Sequence, residues 1–130
     1  MRIFKTKNFD RFARQQEISD SELLNAIERA TQGLIDANLG GNLIKQRLSR
    51  AHSGKSSGYR SIILYQQNHH CFFLYGFAKN VQENISQTDL NALKMLGKQL
   101  SLYRENELNL IVEKGNLIEI LGENDDKISK

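Results

Sequence analysis

Lys45 and Arg47 stand two residues apart, Arg60 follows Tyr59 at the start of a later segment, and Lys79 closes a third. In extended chain, residues two apart project to one face, so Lys45 and Arg47 would share a surface, and strand ends can bring the other two beside them. Gathered in this way, such groups suit a phosphodiester. A guanidinium fork matches phosphate oxygens and keeps its charge, while an ammonium is a mobile point charge. Tyr59 and Tyr75 could stack a base beside them, and the combination is what recognition of single-stranded RNA requires.

The charge distribution supports a polyanion partner. Across 130 residues the net charge is only +3, but residues 1–82 carry +6 and residues 83–130 carry −3. No acid occurs between Asp36 and Glu83, a span that holds Lys45, Arg47, Arg50, Lys55, Arg60, Lys79 and all three histidines. An uncompensated block of this kind fits nucleic acid, although a solvated basic face or a surface for an acidic protein would have the same composition.

Other chemistries find less support. Gly54-Lys55-Ser56 ends like a phosphate-binding loop, but Ser49 occupies the position of the required first glycine, and the segment joins two expected strands rather than a strand and a helix. A mobile loop carrying a lysine is the expectation. Alternation sends His70 to the opposite side from His69 and Cys71, so no metal site is expected there, and no cofactor is implied. Cys71 adjoins an apolar strand and is expected in the core; alone, it also excludes an internal disulfide. No serine has an evident histidine and acid for a triad.

The elements that would position these groups follow from periodicity. Residues 1–6 suit a strand, and Asn8 is placed to cap a brief helix presenting Phe9, Phe12 and Ala13. Ser19 and Glu22 form a capping box before Leu23, Ile27, Ala30 and Leu34, which predicts a helix over 19–38 and a helical hairpin with one apolar seam. The period then changes to two, which predicts antiparallel strands over 43–50, 58–67 and 71–79, the last two joined by a tight turn. Strict alternation in the third would put Phe72 and Leu74 on one side and Phe73, Tyr75 and Phe77 on the other. Ser86 opens a further helix. Residues 105–121 fit either a short helix ending at Gly115 followed by a strand, or a hairpin. One α+β domain over 1–121 is expected, with a frayed polar tail at 122–130. With no secretory signal or apolar span, a cytoplasmic location is the default expectation.

Three blocks, Gly40-Gly41-Asn42-Leu43-Ile44-Lys45-Gln46-Arg47, Gly54-Lys55-Ser56-Ser57-Gly58-Tyr59-Arg60 and Phe73-Leu74-Tyr75-Gly76-Phe77-Ala78-Lys79-Asn80, followed by Asn84-Ile85, resemble the signature segments of RelE/HigB-type toxins of bacterial type II toxin–antitoxin pairs, within the RelE/ParE superfamily. The likeness runs over about residues 1–120. It implies a RelE-like α+β fold, with an N-terminal helical hairpin on a small antiparallel-dominated sheet and a further C-terminal helix. It also implies a ribosome-dependent mRNA endonuclease, silenced by a cognate antitoxin of helix-turn-helix type. Carried over residue by residue, Arg60 matches the phosphate-binding arginine, and Lys45, Arg47, Lys55 and Lys79 match basic positions around the scissile bond. Two departures stand out. Asn80 replaces a frequent arginine, and Ser86 lies where some relatives carry a base-stacking aromatic residue.

Such cleavage needs no metal, because the RNA 2′-hydroxyl is an internal nucleophile and the product is a 2′,3′-cyclic phosphate. Arg60 would hold the phosphoryl oxygens with help from Arg47. Lys45, Lys55 and Lys79 are the proton-transfer candidates, with crowding among cations lowering a lysine pKa, and His52 is an outside candidate for a base. Arg50, Tyr59, Tyr75 and Asn80 complete the candidate RNA contacts. The alternatives are a ParE-like toxin that binds DNA gyrase without cutting RNA, and a non-catalytic RNA-binding domain.

Overall fold

The computed structural model describes residues 1–48, 58–66, 69–82 and 84–121. In chain order it contains β1 (Arg2–Thr6), α1 (Lys7–Gln15), α2 (Asp20–Thr31), β2 (Ala37–Gly40), β3 (Leu43–Leu48), β4 (Tyr59–Tyr65), β5 (His70–Ala78), α3 (Gln87–Leu100), α4 (Glu105–Glu113) and β6 (Leu117–Ile120). The strands form one sheet in the order β2-β3-β4-β5-β1-β6. Every neighbouring pair is antiparallel except β1 and β5. This is the expected α+β architecture, and of the two readings of residues 105–121 it takes helix then strand. The expected tail at 122–130 and residues 67–68 of the β4–β5 turn lie outside the described residues.

Capping decides the helix boundaries. Thr6, not Asn8, starts α1, its hydroxyl accepting from Phe9 N at 3.1 Å. Ser19 caps α2 as its sequence indicates, accepting from Glu22 N at 3.2 Å. The expectation that this helix runs to residue 38 is corrected, because it stops at Thr31. Gly33 adopts φ +84°, Gly33 N donates to Ala30 O, and Leu34 N reaches back to Arg29 O at 2.8 Å. These are the two bonds of a Schellman end, which glycine adopts without a Cβ penalty. Leu34 is thereby left outside the seam, 59% exposed, and the following residues become edge strand β2.

Both sheet faces are covered. On one, Phe9 and Ala13 of α1 and Leu23, Ala26, Ile27 and Ala30 of α2 share a core with Ile44, Leu48, Ile63, Cys71 and Phe73. On the other, Leu100 and Leu108, from α3 and α4, meet Phe4, Leu43, Ile62, Leu64, Phe72 and Phe77. The first two helices thus find their seam jointly with the sheet.

A bulge in β5 overturns the expected alternation. Ile62 pairs with Tyr75 but Ile63 pairs with Phe73, so Leu74 is an extra residue. Beyond it the sidedness shifts, and Tyr75 and Phe77 join Phe72 and Leu74 on the α3–α4 face. Gly76 turns toward α1 instead. A β-carbon there would lie 2.3 Å from Cδ2 and Cε2 of Phe12. Gly76→Ala is therefore expected to cost about 1–3 kcal/mol through overpacking, read as a lower urea midpoint.

A charged cluster joins β1 to the first two helices. Lys5, 7% exposed, places Nζ 2.9 Å from Asp10 Oδ1 and 3.0 Å from Asp20 Oδ1, while Arg14 Nε donates to Asp10 Oδ2 at 2.8 Å. Burial alone would push the Asp10 carboxyl up, but Lys5 and then Arg14 outweigh it and hold the group below the ordinary carboxylate range. A depressed folded-state pKa gives stability that is present above the unfolded value and lost as pH falls. Stability is thus expected to decline as pH falls below about 4, toward the lower pKa of the folded state. Asp10→Asn should lower stability at pH 7 and flatten that decline, as measured by urea titrations across pH.

Candidate nucleic-acid interface

The local construction of β3 decides which way its cations face. Ile44, Gln46 and Leu48 are buried toward α2, so Lys45 and Arg47 project to the opposite face. Gln46 locks this orientation. Its Oε1 accepts from Asp36 N at 2.9 Å, its Nε2 donates to Ala26 O and Leu34 O, and its carbonyl accepts from Ser61 Oγ. A fully buried amide with these bonds satisfied resists any slip in register. The Arg47 backbone is held as well, with N donating to Asp36 Oδ2 at 2.6 Å and O accepting from Arg29 Nη2 at 2.7 Å.

Arg47 lies directly opposite Arg60, and Arg60 opposite Phe77. In the adjacent row Lys45 lies opposite Ile62, and Ile62 opposite Tyr75. Lys45, Arg47, Arg60 and Tyr75 therefore share the α3–α4 face of three neighbouring strands. Like charges directly across a strand pair are destabilising. Among the described residues, no ion pair involves Lys45, Arg47, Arg60 or Lys79. Among the described residues the Arg60 guanidinium donates only locally, to Tyr59 O at 3.2 Å. Lys79 follows β5, its backbone N donating to Gly58 O at 3.0 Å, which puts it at the Arg60 end of the sheet, and Asn80 is exposed beside it.

The segment after β5 borders this face. Asn84 Oδ1 accepts from Lys45 Nζ at 3.4 Å, Gln82 Nε2 donates to Asn84 O at 3.0 Å, and Tyr75 OH donates to Gln82 Oε1 at 3.4 Å. Gln46, Gln82 and Asn84 are the positioning residues that sequence reasoning missed. A polar residue at an inward position of an alternating strand was the available signal for Gln46. For Asn84 it was its place in the Asn84-Ile85 signature pair, and for Gln82 there was none.

Tyr59 is not on this surface. It is 6% exposed in the core of the α1–α2 face, its hydroxyl donating to Gln16 Oε1 at 2.9 Å and its ring meeting the edge of Phe12. The register explains this, since Tyr59 and Arg60 are consecutive and must face apart. Tyr75, brought over by the bulge, is the tyrosine beside the cations. Arg50, His52 and Lys55 lie outside the described residues. Ser86 serves as N-cap of α3, accepting from Asp89 N at 3.1 Å. Cys71 is fully buried, and burial pushes its thiol up to about 12, which suits a core residue and not a nucleophile. The His70 ring is engaged by Glu105, which also pairs with Arg2. Among the described residues no three His, Cys, Asp or Glu side chains gather as metal ligands.

A small α+β protein that presents cations without ion pairs among the described residues on a mostly antiparallel sheet is the class these features define. The family profile described as the RelE toxin of the RelE/RelB toxin–antitoxin system matches residues 1–120, and the chain belongs to that family of toxins with an antitoxin partner. No curated protein matches the chain. No helix among the described residues is long and apolar enough to cross a membrane.

Proposed function

We infer that the chain is a toxin that cleaves mRNA on the ribosome, in the cytoplasm, and is neutralised by a helix-turn-helix antitoxin. The observation that carries this reading is the Arg47–Arg60 cross-strand pair. Two arginines stand opposite one another in the β3–β4 register, with no acid paired to either among the described residues. An arrangement that costs stability in the free protein becomes favourable when a phosphate bridges it.

Arg60 and Arg47 hold the non-bridging oxygens and stabilise the charge that accumulates as the 2′-oxygen attacks phosphorus. Lys45, positioned by Asn84, accepts the 2′-hydroxyl proton. Lys79 supports the phosphate from the end of β5, and Tyr75 offers a ring for the neighbouring base. The P–O5′ bond breaks as Lys55, the remaining proton-transfer candidate, gives the departing oxygen a proton, leaving a 2′,3′-cyclic phosphate and a free 5′-hydroxyl. Arg50 and Asn80 add RNA contacts. The antitoxin covers the cationic face with acidic groups, which speeds capture through charge complementarity.

The test is incubation of purified chain with programmed ribosomes, mapping of the mRNA ends and identification of the cyclic phosphate, with a parallel gyrase supercoiling assay. Cleavage with unaffected gyrase is the expected result. Intact mRNA with inhibited gyrase would establish the gyrase-binding alternative, and RNA binding with neither effect would reduce the chain to a binding domain.

A further inference from the structure

A second group of cations lies on the same sheet face, outside the site just described. The cleft between α3 and the β2–β3 turn has a volume of about 310 Å³ and is lined by Gly41, Asn42, Leu64, Lys94, Lys98 and Ser101, together with Gly97. Lys94 runs along the turn. Its ammonium lies 3.5 Å from where a β-carbon would stand on Gly40, and its Cγ lies 3.8 Å from the same point on Gly41. Gly40, Gly41 and Asn42 all have positive φ. A β-carbon on either glycine would make only ordinary van der Waals contact with the lysine, and it is the positive φ that favours glycine there.

The charges in this cleft are all positive. Lys94 and Lys98 are one turn apart, and among the described residues neither is in an ion pair. The negative end of the helix dipole accounts for a cation in the last turn, which is Lys98. It does not account for Lys94, a turn earlier and partly buried against the glycine turn. Asn42 and Ser101 add neutral hydrogen-bonding groups. A cleft with two unpaired ammonium groups, an amide and a hydroxyl suits a singly or doubly charged oxyanion.

Its position relates it to the proposed reaction. Leu43 and Leu64 belong to the core of the α3–α4 face, and Lys45 and Arg47 continue the Leu43 side of β3. From Asn42 to Lys45 is three residues, about 10 Å of extended chain, and Arg47 lies about 7 Å further on. A strand of a few nucleotides spans that separation. We propose that the Lys94–Lys98 cleft holds a backbone phosphate of the RNA strand a few nucleotides from the scissile bond, an assignment that rests on the nuclease reading for its substrate class. The cleft then adds affinity for the length of the strand and has no part in the chemistry.

The test uses 2′-O-methylated RNA, which lacks the nucleophilic hydroxyl, as a dinucleotide and as an octanucleotide, with binding followed by fluorescence anisotropy over a range of salt. Lys94→Gln/Lys98→Gln is expected to weaken octanucleotide binding about tenfold and to lower its salt slope by about 0.7, the contribution of one phosphate contact on a single strand. Dinucleotide binding should fall far less, and Lys94→Arg/Lys98→Arg should retain octanucleotide affinity. Wild-type octanucleotide binding by the glutamine variant, or an equal loss for both lengths, would overturn the proposal. So would inorganic phosphate that shifts the Asn42 and Ser101 amide resonances when the octanucleotide does not, because the cleft would then take a free anion. Ribosome assays separate this result from the nuclease reading. Length-dependent loss of binding without mRNA cleavage by the wild type refutes only the nuclease, whereas cleavage with unaltered octanucleotide binding refutes only the cleft.

Discussion

Arg60→Ala is expected to slow mRNA cleavage by two orders of magnitude or more while the protein remains folded. A preorganised donor aimed at the charge that develops in a transition state is worth roughly 3 kcal/mol, and Arg60 stands at the middle strand of the cationic face, between Arg47 and Phe77. The stability readout distinguishes this role from a structural one. Removing Arg60 relieves the repulsion with Arg47, so the urea midpoint should hold or rise as activity falls. Arg60→Lys should recover only part of the rate, because the ammonium keeps the charge but loses the fork. Lys79→Ala, beyond the end of β5, should cost only about tenfold. Matched cleavage of programmed ribosomes, with circular dichroism on each variant, decides the matter, and full activity in Arg60→Ala would remove that residue from the mechanism.

Phe73→Ala is expected to give the largest loss of stability, about 3–5 kcal/mol. Phe73 is fully buried, its ring centroid 5.0 Å from that of Phe9, and it pairs with Lys5 on β1 and Ile63 on β4. Truncation would empty the place where α1 meets the central strand. Against a total stability of about 5–15 kcal/mol for a domain of ordinary size, this is a large fraction. The Phe73 side chain projects away from the cations, so the rate per folded molecule should be retained at low temperature. A urea titration with a lower midpoint and an unchanged slope would support this account. An equal loss of specific activity in fully folded protein would show that the two faces are coupled.

Much of the frame could be read from period and caps. The switch to alternation after Gly41 located β3, β4 and β5, Ser19 and Ser86 marked helix starts, and the Lys45-x-Arg47 spacing placed both cations on one face. The failures arose where backbone geometry overrides pattern. Gly33 ended α2 because a left-handed residue closes the helix whatever apolar residue follows, and Leu34 at helical spacing concealed this. The Leu74 bulge reversed the sidedness of Tyr75, and nothing in a run of apolar residues marks the extra one. Tyr59 was assigned to the RNA surface for its chemistry, when its adjacency to Arg60 already required it to face away. The parallel union of β1 with β5 joins segments remote in sequence, which local periodicity cannot reveal.

That union has a consequence in time. β1 precedes every other strand of the sheet in chain order, yet it sits inside the sheet with β6 as its other neighbour, Ile3 opposite Ile120 and Thr6 opposite Leu117. The three strands that carry the cations can pair as soon as β5 exists. Until residues 117–120 emerge, however, β1 presents a bare edge, and Leu117 has not yet reached the core around Phe4. A contact between positions more than a hundred residues apart closes late, because the entropy of so long a loop must be overcome first. Translation therefore controls the order of assembly. A nascent chain lacking β6 displays an open template for pairing, and a partner present during synthesis would meet the toxin before its sheet is sealed.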